Sequence, residues 1–395
     1  MQHPRHVLFV ATIAKKHICQ FHLPYLKWFQ DHGFVVHVCA SDDFEDGDSH
    51  RIPFCDFFYP IDFSRSPFCF GNAKAYRELK HIIEAHPFEL IHCHTPVAAA
   101  IARMAARQSR KQNHTILLYT THGFHFYQGA PRSSLLFWAA EKMLVPFTDG
   151  IITINREDYD AARRMCRGMA CDVYYVHGTG VDTRCIREKH VDRAELKCRL
   201  GIPMDAFVLL SVSELNANKN LKTSLRAFAR LRHPDMYYLI CGTGDMLEDY
   251  RRLAGELGIS DRVLFTGYRY DIFEIVHIAD VFLFPSLREG LGIAPIEAMS
   301  AGVPIIASDV RGVREYVVNG ENGILLDPMD VDGFAVAVER LYKNRELLEF
   351  LGINAQKAVS PFDISNSLRA MEEIYCHYLK LESTELKTKE SAVIV

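Results

Sequence analysis

The 395-residue sequence lacks several features that assign a chain to a class at once. It has no run of 18 apolar residues, so we expect no membrane-spanning helix. None of the eleven cysteines forms a C-x-x-C pair, which argues against a disulfide framework or a zinc site and favours a reducing cytoplasm. The apolar stretch from His6 to Ala14 is short and runs into two lysines, so it predicts a buried strand rather than a signal peptide.

Strong charge and the common phosphate-binding motifs are also missing. The net charge of −4 divides into +2 for residues 1–180 and −6 for the remainder, which is too weak for nucleic-acid binding. The first part holds 15 of the 19 histidines and is compatible with an anionic substrate or a membrane surface. The absence of G-x-G-x-x-G and G-x-x-x-x-G-K-S/T motifs weighs against a dehydrogenase and a P-loop NTPase.

Short apolar runs alternate with helical patterns along the chain. Near-continuous apolar strands in this alternation predict an α/β fold of doubly wound parallel sheets, covered on both faces. The alternation breaks between about residues 174 and 205, so we predict two Rossmann-like domains with a ligand cleft between them. The predicted boundaries are 1–180 for the first domain, 181–205 for a linker, 206–360 for the second domain, 361–382 for a helix returning to the first domain, and 383–395 for a tail.

The stretch from Pro285 to Pro304 is the most informative. A strand ends at Pro285, a loop with Gly290, Leu291 and Gly292 follows, and a helix begins near Ala294. Glycines let main-chain amides approach a ligand, and a helix N-terminus favours an anion. Glu289 and Glu297 flank this segment, and their carboxylates suit the vicinal hydroxyls of a ribose or hexose. The alternative is a capping glutamate on a surface loop.

Two further segments follow strands of the second domain. Lys219 lies directly before a predicted helix at Leu221, where a cation would meet a phosphate. Gly242 and Gly244 form a short G-x-G turn, which is weak evidence for phosphate binding because such turns also simply end strands.

Together these segments resemble the family 4 retaining glycosyltransferases, and the resemblance covers nearly the whole chain. Glu289 and Glu297 match the E-x7-E motif, Phe265-Thr-Gly267 with Arg269 matches the segment near the nucleotide base, and His94 and His122 match two N-terminal histidine motifs. The segment from Phe21 to Leu26 is similar to enzymes of bacterial exopolysaccharide and capsule assembly. The resemblance implies a GT-B fold.

The resemblance also implies roles for individual residues. It implies catalytic roles for Glu289, Lys219 and His122, the last as a contact to the donor sugar. Donor binding is implied for Glu297, Gly290, Leu291, Gly292, Gly242, Gly244, Arg269 and Glu214. Acceptor-side positions are His94, Lys15, Lys16 and His17. Glu214 departs from the family, because it replaces the usual arginine that binds the diphosphate; Lys222 and Arg269 are the candidate substitutes.

No metal site is predicted. His92 and His94 share a strand face, but no third ligand is evident. The acidic run from Asp42 to Asp48 is interpreted as a solvated turn, and no D-x-D motif ends a strand.

A basic helical face is expected in the first domain. Arg103, Arg107, Arg110 and Lys111 are spaced to share that face. It is interpreted either as a solvated surface or as a contact with anionic lipid at the inner face of the cytoplasmic membrane.

These inferences predict a metal-independent, retaining glycosyltransferase of the cytoplasm. It would move a sugar from a nucleoside diphosphate, UDP above others, to a lipid-linked or soluble saccharide; no other cofactor is expected. The alternatives are a nucleotide-sugar epimerase on the same fold and a non-catalytic subunit that binds nucleotide sugars. Release of UDP only when an acceptor is supplied distinguishes transfer from epimerisation.

Overall fold

A computed structural model of the protein describes residues 4–45, 50–64, 66–67, 69–127 and 129–382. The chain forms two compact units. Unit 1 comprises Met1–Thr179 and Ser367–Val395, and unit 2 comprises Gly180–Asn366. The predicted tail, 383–395, lies outside the described residues.

Unit 1 is built on a seven-stranded sheet in the order β3-β2-β1-β4-β5-β6-β7, in which every neighbouring pair is parallel. The strands are β1 (Arg5–Ile13), β2 (Phe34–Ser41), β3 (Phe57–Pro60), β4 (Phe88–His94), β5 (Ile116–Thr121), β6 (Gly150–Thr153) and β7 (Asp172–Tyr175). The helices are α1 (Leu23–Asp31), α2 (Gly71–Ala85), α3 (Pro96–Ala105), α4 (Arg107–Gln112), α5 (Ser134–Leu144) and α6 (Arg156–Cys166). A π-helical turn, Ala14–Cys19, directly follows β1.

Unit 2 is built on a six-stranded parallel sheet in the order β10-β9-β8-β11-β12-β13. The strands are β8 (Phe207–Val212), β9 (Met236–Cys241), β10 (Val263–Phe265), β11 (Val281–Phe284), β12 (Ile305–Ser308) and β13 (Gly323–Leu326). The helices are α7 (Thr183–Glu188), α8 (Arg193–Arg199), α9 (Leu221–Arg230), α10 (Leu247–Glu256), α11 (Ile272–Ile275), α12 (Ile293–Ser300), α13 (Val331–Lys343) and α14 (Arg345–Ala358). The last helix, α15 (Ile364–Leu379), begins at the end of unit 2 and belongs to unit 1 from Ser367. Where a linker was expected, residues 181–205 form α7 and α8 and belong to unit 2.

These two sheets confirm the predicted α/β fold class. Their central strands are mostly buried along their length, because helices cover both faces of each sheet. The strand order reverses between β1 and β4 in unit 1 and between β8 and β11 in unit 2. Ligands of open α/β sheets bind beyond the carboxyl ends of the strands at such reversals. Each unit therefore has one expected place for chemistry.

The C-terminal helix α15 completes the core of unit 1 from residue Ser367 onward. Met371, Ile374 and Tyr375 are buried among the residues of β1 and α1. The Tyr375 hydroxyl lies 2.8 Å from His92 Nδ1, and His92 Nε2 lies 2.8 Å from Thr120 Oγ1. Both ring nitrogens of this fully buried histidine are therefore satisfied within the fold.

The prediction of a basic face on one continuous helix is wrong. The helix is interrupted at Ala106, so α3 and α4 are separate. Arg103 is fully buried and its Nη1 donates to Glu141 Oε2 at 2.8 Å. Arg110 pairs with Asp149, and Arg107 lies 4.7 Å from the centre of the Phe147 ring. These cations stabilise unit 1 internally and do not form a four-residue lipid-binding face.

No helix within the described ranges combines the length and apolar character needed to cross a membrane.

Candidate active site

The site of unit 2 forms where the loops that follow β8 and β11 meet. Two hydrogen bonds join these loops: Leu287 N donates to Asn218 O at 2.8 Å, and Asn218 Nδ2 donates to Arg288 O at 2.9 Å. Both loops lie at the reversal of strand order, so the fold brings together two segments about seventy residues apart in sequence.

An ion pair joins the two predicted catalytic residues of these loops. Lys219 Nζ lies 2.6 Å from Glu289 Oε1, and the side chains are 20% and 9% exposed. The ammonium also lies 5.2 Å from the centre of the Phe284 ring, within reach of a cation–π contact. Asn216 fixes the turn that carries Lys219, because its side-chain oxygen accepts from Lys219 N at 3.1 Å. A cation and a carboxylate therefore lie side by side at the carboxyl end of the sheet.

Asn220 is a site residue that the sequence reasoning missed. It caps α9 with a left-handed φ of 52°, a conformation in which asparagine is enriched. Its Nδ2 donates to the carbonyl oxygens of Pro285 at 3.0 Å and Pro328 at 2.7 Å. The signal was present, since an asparagine directly before a helix is a frequent cap. Asn220 locks the lysine loop to the segment that leaves β11.

The glycine loop before α12 packs closely against two aromatic side chains, Phe284 and Tyr316. Gly292 has a φ of +85°, and a Cβ atom there would approach the Phe284 ring at 3.1 Å and the Tyr316 hydroxyl at 3.2 Å. Tyr316 donates its hydroxyl to Leu291 O at 3.0 Å. Only glycine fits such a position without strain, so Phe284 and Tyr316 fix the path of the loop.

Gly312 allows a second segment to pack against the same loop. A Cβ atom at Gly312 would lie 2.7 Å from the main chain of Gly290, closer than a side chain can pack. The neighbouring Arg311 is buried, and its Nε lies 3.4 Å from Glu289 O. Gly312 belongs to a turn, Ser308 to Glu315, that also resembles the family, whereas Tyr316 was not singled out because its contacts form only in the folded unit.

Glu297 lies in the second turn of α12, beyond the glycine loop. Burial raises its pKa from 4.5 to about 7. The carboxyl group is therefore poised between its neutral and ionised forms near neutral pH, as is common for groups at functional sites.

Gly242 and Gly244 have a structural explanation. A Cβ atom at either position would collide with a main-chain oxygen, of Ser213 or of Leu215 respectively. Leu215 N donates to Thr243 O at 2.8 Å, so the loops after β8 and β9 run side by side. Packing accounts for both glycines, and their contact with a donor stays a prediction.

The two candidate substitutes for the diphosphate arginine lie in different surroundings. Glu214 is exposed and accepts from Asn216 Nδ2 at 2.9 Å. Arg269 forms two hydrogen bonds to Asp271, at 2.8 and 2.5 Å, so its charge is matched within its own loop. Lys222 is exposed in the first turn of α9. The role of either cation at a diphosphate stays a prediction.

The site of unit 1 is a group of four histidines at the carboxyl edge of its sheet. His94 ends β4, His122 follows β5, and His17 lies in the π-helical turn after β1. The fourth, His22, caps α1 and stacks on His94 with ring centres 3.9 Å apart. His22 was not predicted, because nothing in the sequence shows that the turn folds back over β4.

The turn with Lys15 and Lys16 is anchored by Asp43. Its carboxylate accepts from the main-chain N–H of Lys15 at 2.5 Å and of Lys16 at 3.1 Å. This corrects the interpretation of Asp43 as part of a solvated turn; residues 46–49 of that run lie outside the described residues. The acceptor-side roles of the two lysine side chains stay predictions.

Thr95 carries backbone strain next to this group. It has a φ of +64°, a genuine outlier for a β-branched residue, and it directly follows His94. Its hydroxyl lies 2.7 Å from the Thr12 hydroxyl and accepts from Thr12 N at 3.2 Å. The strained turn joins the ends of β1 and β4, and such strain clusters at functional sites.

Comparisons with known proteins agree with this geometry. Residues 6–155 match the model of the family described as "Glycosyl transferase 4-like", and residues 192–358 match "Glycosyl transferases group 1". EpsD of Bacillus subtilis (strain 168), a protein named as a glycosyltransferase, is 39% identical over 96% of this chain and 98% of its own. An Escherichia coli enzyme named UDP-Gal:alpha-D-GlcNAc-diphosphoundecaprenol alpha-1,3-galactosyltransferase is 26% identical over 77% of this chain and 79% of its own.

Solved structures share the fold at lower sequence identity. The crystal structure of Anabaena Alr3699/HepE in complex with UDP and glucose superposes with a TM-score of 0.76 at 21% identity, over 95% of this chain and 100% of that one. The lipopolysaccharide glycosyltransferase WaaG gives a TM-score of 0.71 at 16% identity, over 93% and 99%. The chain belongs to the family 4-like glycosyltransferases and has their GT-B fold.

Proposed function

We propose that this glycosyltransferase moves a hexose or N-acetylhexosamine from a UDP-sugar to an acceptor, with retention of the anomeric configuration and without a metal at the diphosphate. The observation that carries the proposal is the Lys219–Glu289 pair, 2.6 Å apart, beside the glycine loop and the N-terminus of α12. A cation and free main-chain N–H groups suit a diphosphate, and a carboxylate suits sugar hydroxyls.

The proposed step is a displacement on one face of the donor sugar. The bond from the anomeric carbon to the β-phosphate oxygen breaks, and the acceptor oxygen bonds to the same carbon. The acceptor hydroxyl gives its proton to the departing phosphate oxygen. Lys219 and the α12 N-terminus stabilise the negative charge that develops on that phosphate, which is the largest contribution such a site offers.

The identity of the donor nucleotide is supported by the relatives. The galactosyltransferase of Escherichia coli is named for UDP-Gal, and the Anabaena structure contains UDP. In unit 2, Glu297 supplies a second carboxyl group for the ribose hydroxyls of UDP.

A lipid-linked saccharide is the proposed acceptor. The Escherichia coli relative is named for a diphosphoundecaprenol acceptor. Unit 1 also exposes a large apolar surface on α5, where an acceptor lipid would find partners. Its exposed side chains are Leu135 (64%), Leu136 (73%), Phe137 (43%), Trp138 (39%) and Met143 (74%).

A matched pair of double variants tests the acceptor. Leu136→Ser with Met143→Ser should lower transfer to a polyprenyl-diphosphate acceptor and spare transfer to a water-soluble analogue of the same saccharide. Phe350→Ser with Ile353→Ser changes a comparable exposed pair on α14, 52% and 57% exposed, and should leave both rates unchanged. Equal rates for the α5 variant and the wild type on both acceptors would favour a soluble acceptor.

The purified chain tests the reaction itself. With UDP-sugars and a polyprenyl-diphosphate saccharide in a chelating buffer, we expect UDP release only when acceptor is present, and NMR of the product should show the donor's anomeric configuration. UDP-sugar conversion without acceptor would favour an epimerase. Binding of UDP-sugar without turnover would favour a non-catalytic subunit, for which the exposed Glu214 in place of an arginine is the motivating observation.

A further inference from the structure

The four histidines of unit 1 form a compact group of ring nitrogens. One nitrogen from each of His17, His22, His94 and His122 lies within 4.8 Å of the nitrogens of the other three. The six distances between ring centres run from 3.9 to 6.0 Å. His22 and His94 are buried, and the other two are partly exposed. Such close packing of four imidazoles requires an explanation, because each ring carries polar nitrogens that need partners.

Four of the eight ring nitrogens in this group have no protein partner. Within the described residues, both ring nitrogens of His94, Nδ1 of His22 and Nε2 of His122 are buried and make no hydrogen bond. Leaving a buried polar atom unpaired costs about 1–3 kcal/mol. Native folds rarely keep several such atoms at one place unless a ligand completes them.

The neighbouring histidine shows that the fold can satisfy an imidazole when it needs to. His92 lies two residues before His94 on the same strand, and both of its nitrogens have partners at 2.8 Å. A second group, His6, His37 and His86, is linked by hydrogen bonds. His6 Nδ1 lies 2.9 Å from His37 Nε2, and the Tyr59 hydroxyl lies 3.2 Å from both His37 Nδ1 and His86 Nε2. Among the described histidines, buried ring nitrogens without a partner therefore occur only in the four-histidine group.

One distance within this group equals the spacing of two ligands on a tetrahedral metal ion. Nε2 of His17 and Nε2 of His22 are 3.3 Å apart. Two nitrogens at 2.0–2.1 Å from a tetrahedral zinc ion are about 3.3 Å apart, so this edge is already at the required length. Imidazoles are ligands of zinc, copper, cobalt and nickel, and a set without carboxylates does not favour magnesium or calcium.

We propose that His17, His22, His94 and His122 bind one divalent transition-metal ion of the zinc type. The ion ties the π-helical turn and the start of α1 to the ends of β4 and β5. Asp43 holds the turn after β1 through the main-chain N–H groups of Lys15 and Lys16, and Thr95 joins the ends of β1 and β4 through its hydroxyl.

Cobalt binding tests the proposal directly. The full chain, first stripped with a chelator, is titrated with Co²⁺ while its visible absorption is recorded, and Zn²⁺ is then added in competition. We expect one ion per chain, the intense visible bands of tetrahedral Co²⁺, and displacement by Zn²⁺. A titration that reaches saturation without these bands, or no binding at all, would overturn the proposal.

Variants locate the ion. His17→Asn changes a partly exposed residue of the turn and should weaken Zn²⁺ binding at least about 100-fold, since loss even of a supporting partner costs 10–100-fold. His86→Asn is the matched control from the second histidine group and should leave Zn²⁺ affinity unchanged. Equal affinities in the wild type and the His17 variant, or a loss in the His86 variant instead, would place the metal elsewhere.

One consequence rests on the proposed function. If His122 contacts a sugar during transfer, a bound ion competes for the same imidazole, so added Zn²⁺ should inhibit transfer and a chelator should restore it. Metal binding without inhibition would contradict the role of His122 in transfer and would leave the metal site itself intact.

Discussion

In both sheets, the edge where the strands end (the carboxyl edge) differs from the edge where they begin (the opposite edge) in the hydrogen bonding of its polar groups. At the opposite edge of unit 1, Arg5 forms two hydrogen bonds to Glu89, and Asp149 accepts from Leu117 N at 2.7 Å. At that edge of unit 2, Lys197 Nζ donates to Ala206 O at 2.8 Å and Met204 O at 3.0 Å. Protein groups satisfy protein groups at these edges.

The carboxyl edges keep unpaired buried atoms instead. Among the described residues, ten buried side-chain polar atoms have no hydrogen-bond partner. Four belong to the histidine group of unit 1, and three are the hydroxyls of Ser213, Ser286 and Ser308, at the ends of β8, β11 and β12. Polar groups at the opposite edges are thus paired within the protein and stabilise it, whereas several at the carboxyl edges are available to a ligand. Open α/β sheets bind their ligands at the carboxyl edge.

The largest expected effect contrasts two carboxylates that pair with cations. Glu289→Gln at the carboxyl edge should lower turnover about 100–1000-fold, because it removes about 2.7–4 kcal/mol of transition-state stabilisation. Its unfolding free energy should fall less than that of Glu141→Gln, because the cation left behind, Lys219, is 20% exposed whereas Arg103 is fully buried. A Glu289→Gln enzyme that keeps more than half of the wild-type turnover would contradict the assignment.

The control for that variant is Glu141→Gln, which breaks the buried pair with Arg103 away from both edges. Removing one partner of a buried pair costs about 3–5 kcal/mol of unfolding free energy. Activity per folded molecule should be retained at low temperature. Loss of turnover in the folded Glu141 variant would mean that turnover also depends on an ion pair away from the carboxyl edge.

Glu297 predicts an effect of pH on stability that sharpens the comparison. Burial raises its pKa to about 7, so the folded protein keeps a proton that the unfolded chain loses above 4.5. The contribution of this group to unfolding free energy therefore falls as pH rises from 4.5 to 7 and stays low above it. Glu297→Gln should match the wild type near pH 4 and exceed its stability by up to about 3 kcal/mol at pH 8.

Glu89→Gln, at the opposite edge of unit 1, is the counterpart of Glu297→Gln. It breaks the pair with Arg5 and should lower unfolding free energy at pH 8 by up to about 1 kcal/mol, since the pair is partly exposed. Denaturant titrations at both pH values check the two signs. A Glu297 difference that does not change with pH would mean that its carboxyl group is not held in its neutral form.

Two lysines provide the next contrast, in the same unit. Lys219→Ala should weaken UDP binding by about 10–150-fold, because a charge-assisted hydrogen bond contributes about 1.5–3 kcal/mol. Lys197→Met removes a buried lysine at the opposite edge and should cost stability while the UDP dissociation constant stays unchanged. Calorimetry on both variants checks this; an unchanged affinity after loss of Lys219 would place the phosphates elsewhere.

The smallest expected effect is one that the two edges share. Burial lowers the pKa of His122 to about 4 and of His37 to about 3, so the unfolded chain binds protons below pH 6.5 that the folded chain excludes. Each ring then destabilises the fold by about 1.4 kcal/mol for one pH unit below 6.5. His122→Asn and His37→Asn should each reduce the acid slope in urea titrations between pH 7 and 5.5. An unchanged slope in either variant would mean that its ring is protonated in the folded state.

Much of the fold could be predicted because its strands are apolar runs with both faces buried. The sequence predicts strands at Ile116–Thr121, Phe207–Val212, Ile305–Ser308 and Gly323–Leu326, and these are the bounds of β5, β8, β12 and β13. β7 was missed, because it is a half-exposed edge strand whose sequence looks like the start of a polar break. The interruption at Ala106 was missed for another reason: alanine and arginine are strong helix formers, and only tertiary packing breaks the helix there.

The sequence predicted site residues that each lie on one loop, but it did not predict the contacts between loops. Glu289, Lys219 and His122 each follow a strand, and that position alone indicates the carboxyl edge. Lys219 and Glu289 follow β8 and β11, which are neighbours in the sheet but distant in sequence, so their pairing depends on the reversal of strand order. His22 joins His94 only because a π-helical turn follows β1, and no sequence pattern distinguishes that turn from an ordinary loop.

The central claim, that UDP binds at the carboxyl edge of unit 2, is tested most directly by hydrogen–deuterium exchange with and without UDP. We predict slower exchange of main-chain amides in two segments, residues 216–221 and 286–293, because these loops surround Lys219 and Glu289. Amides around Lys197 and Asp280, at the opposite edge, should exchange at the same rate in both samples. Protection confined to the opposite edge or to unit 1, with residues 216–221 and 286–293 unchanged, would contradict the account.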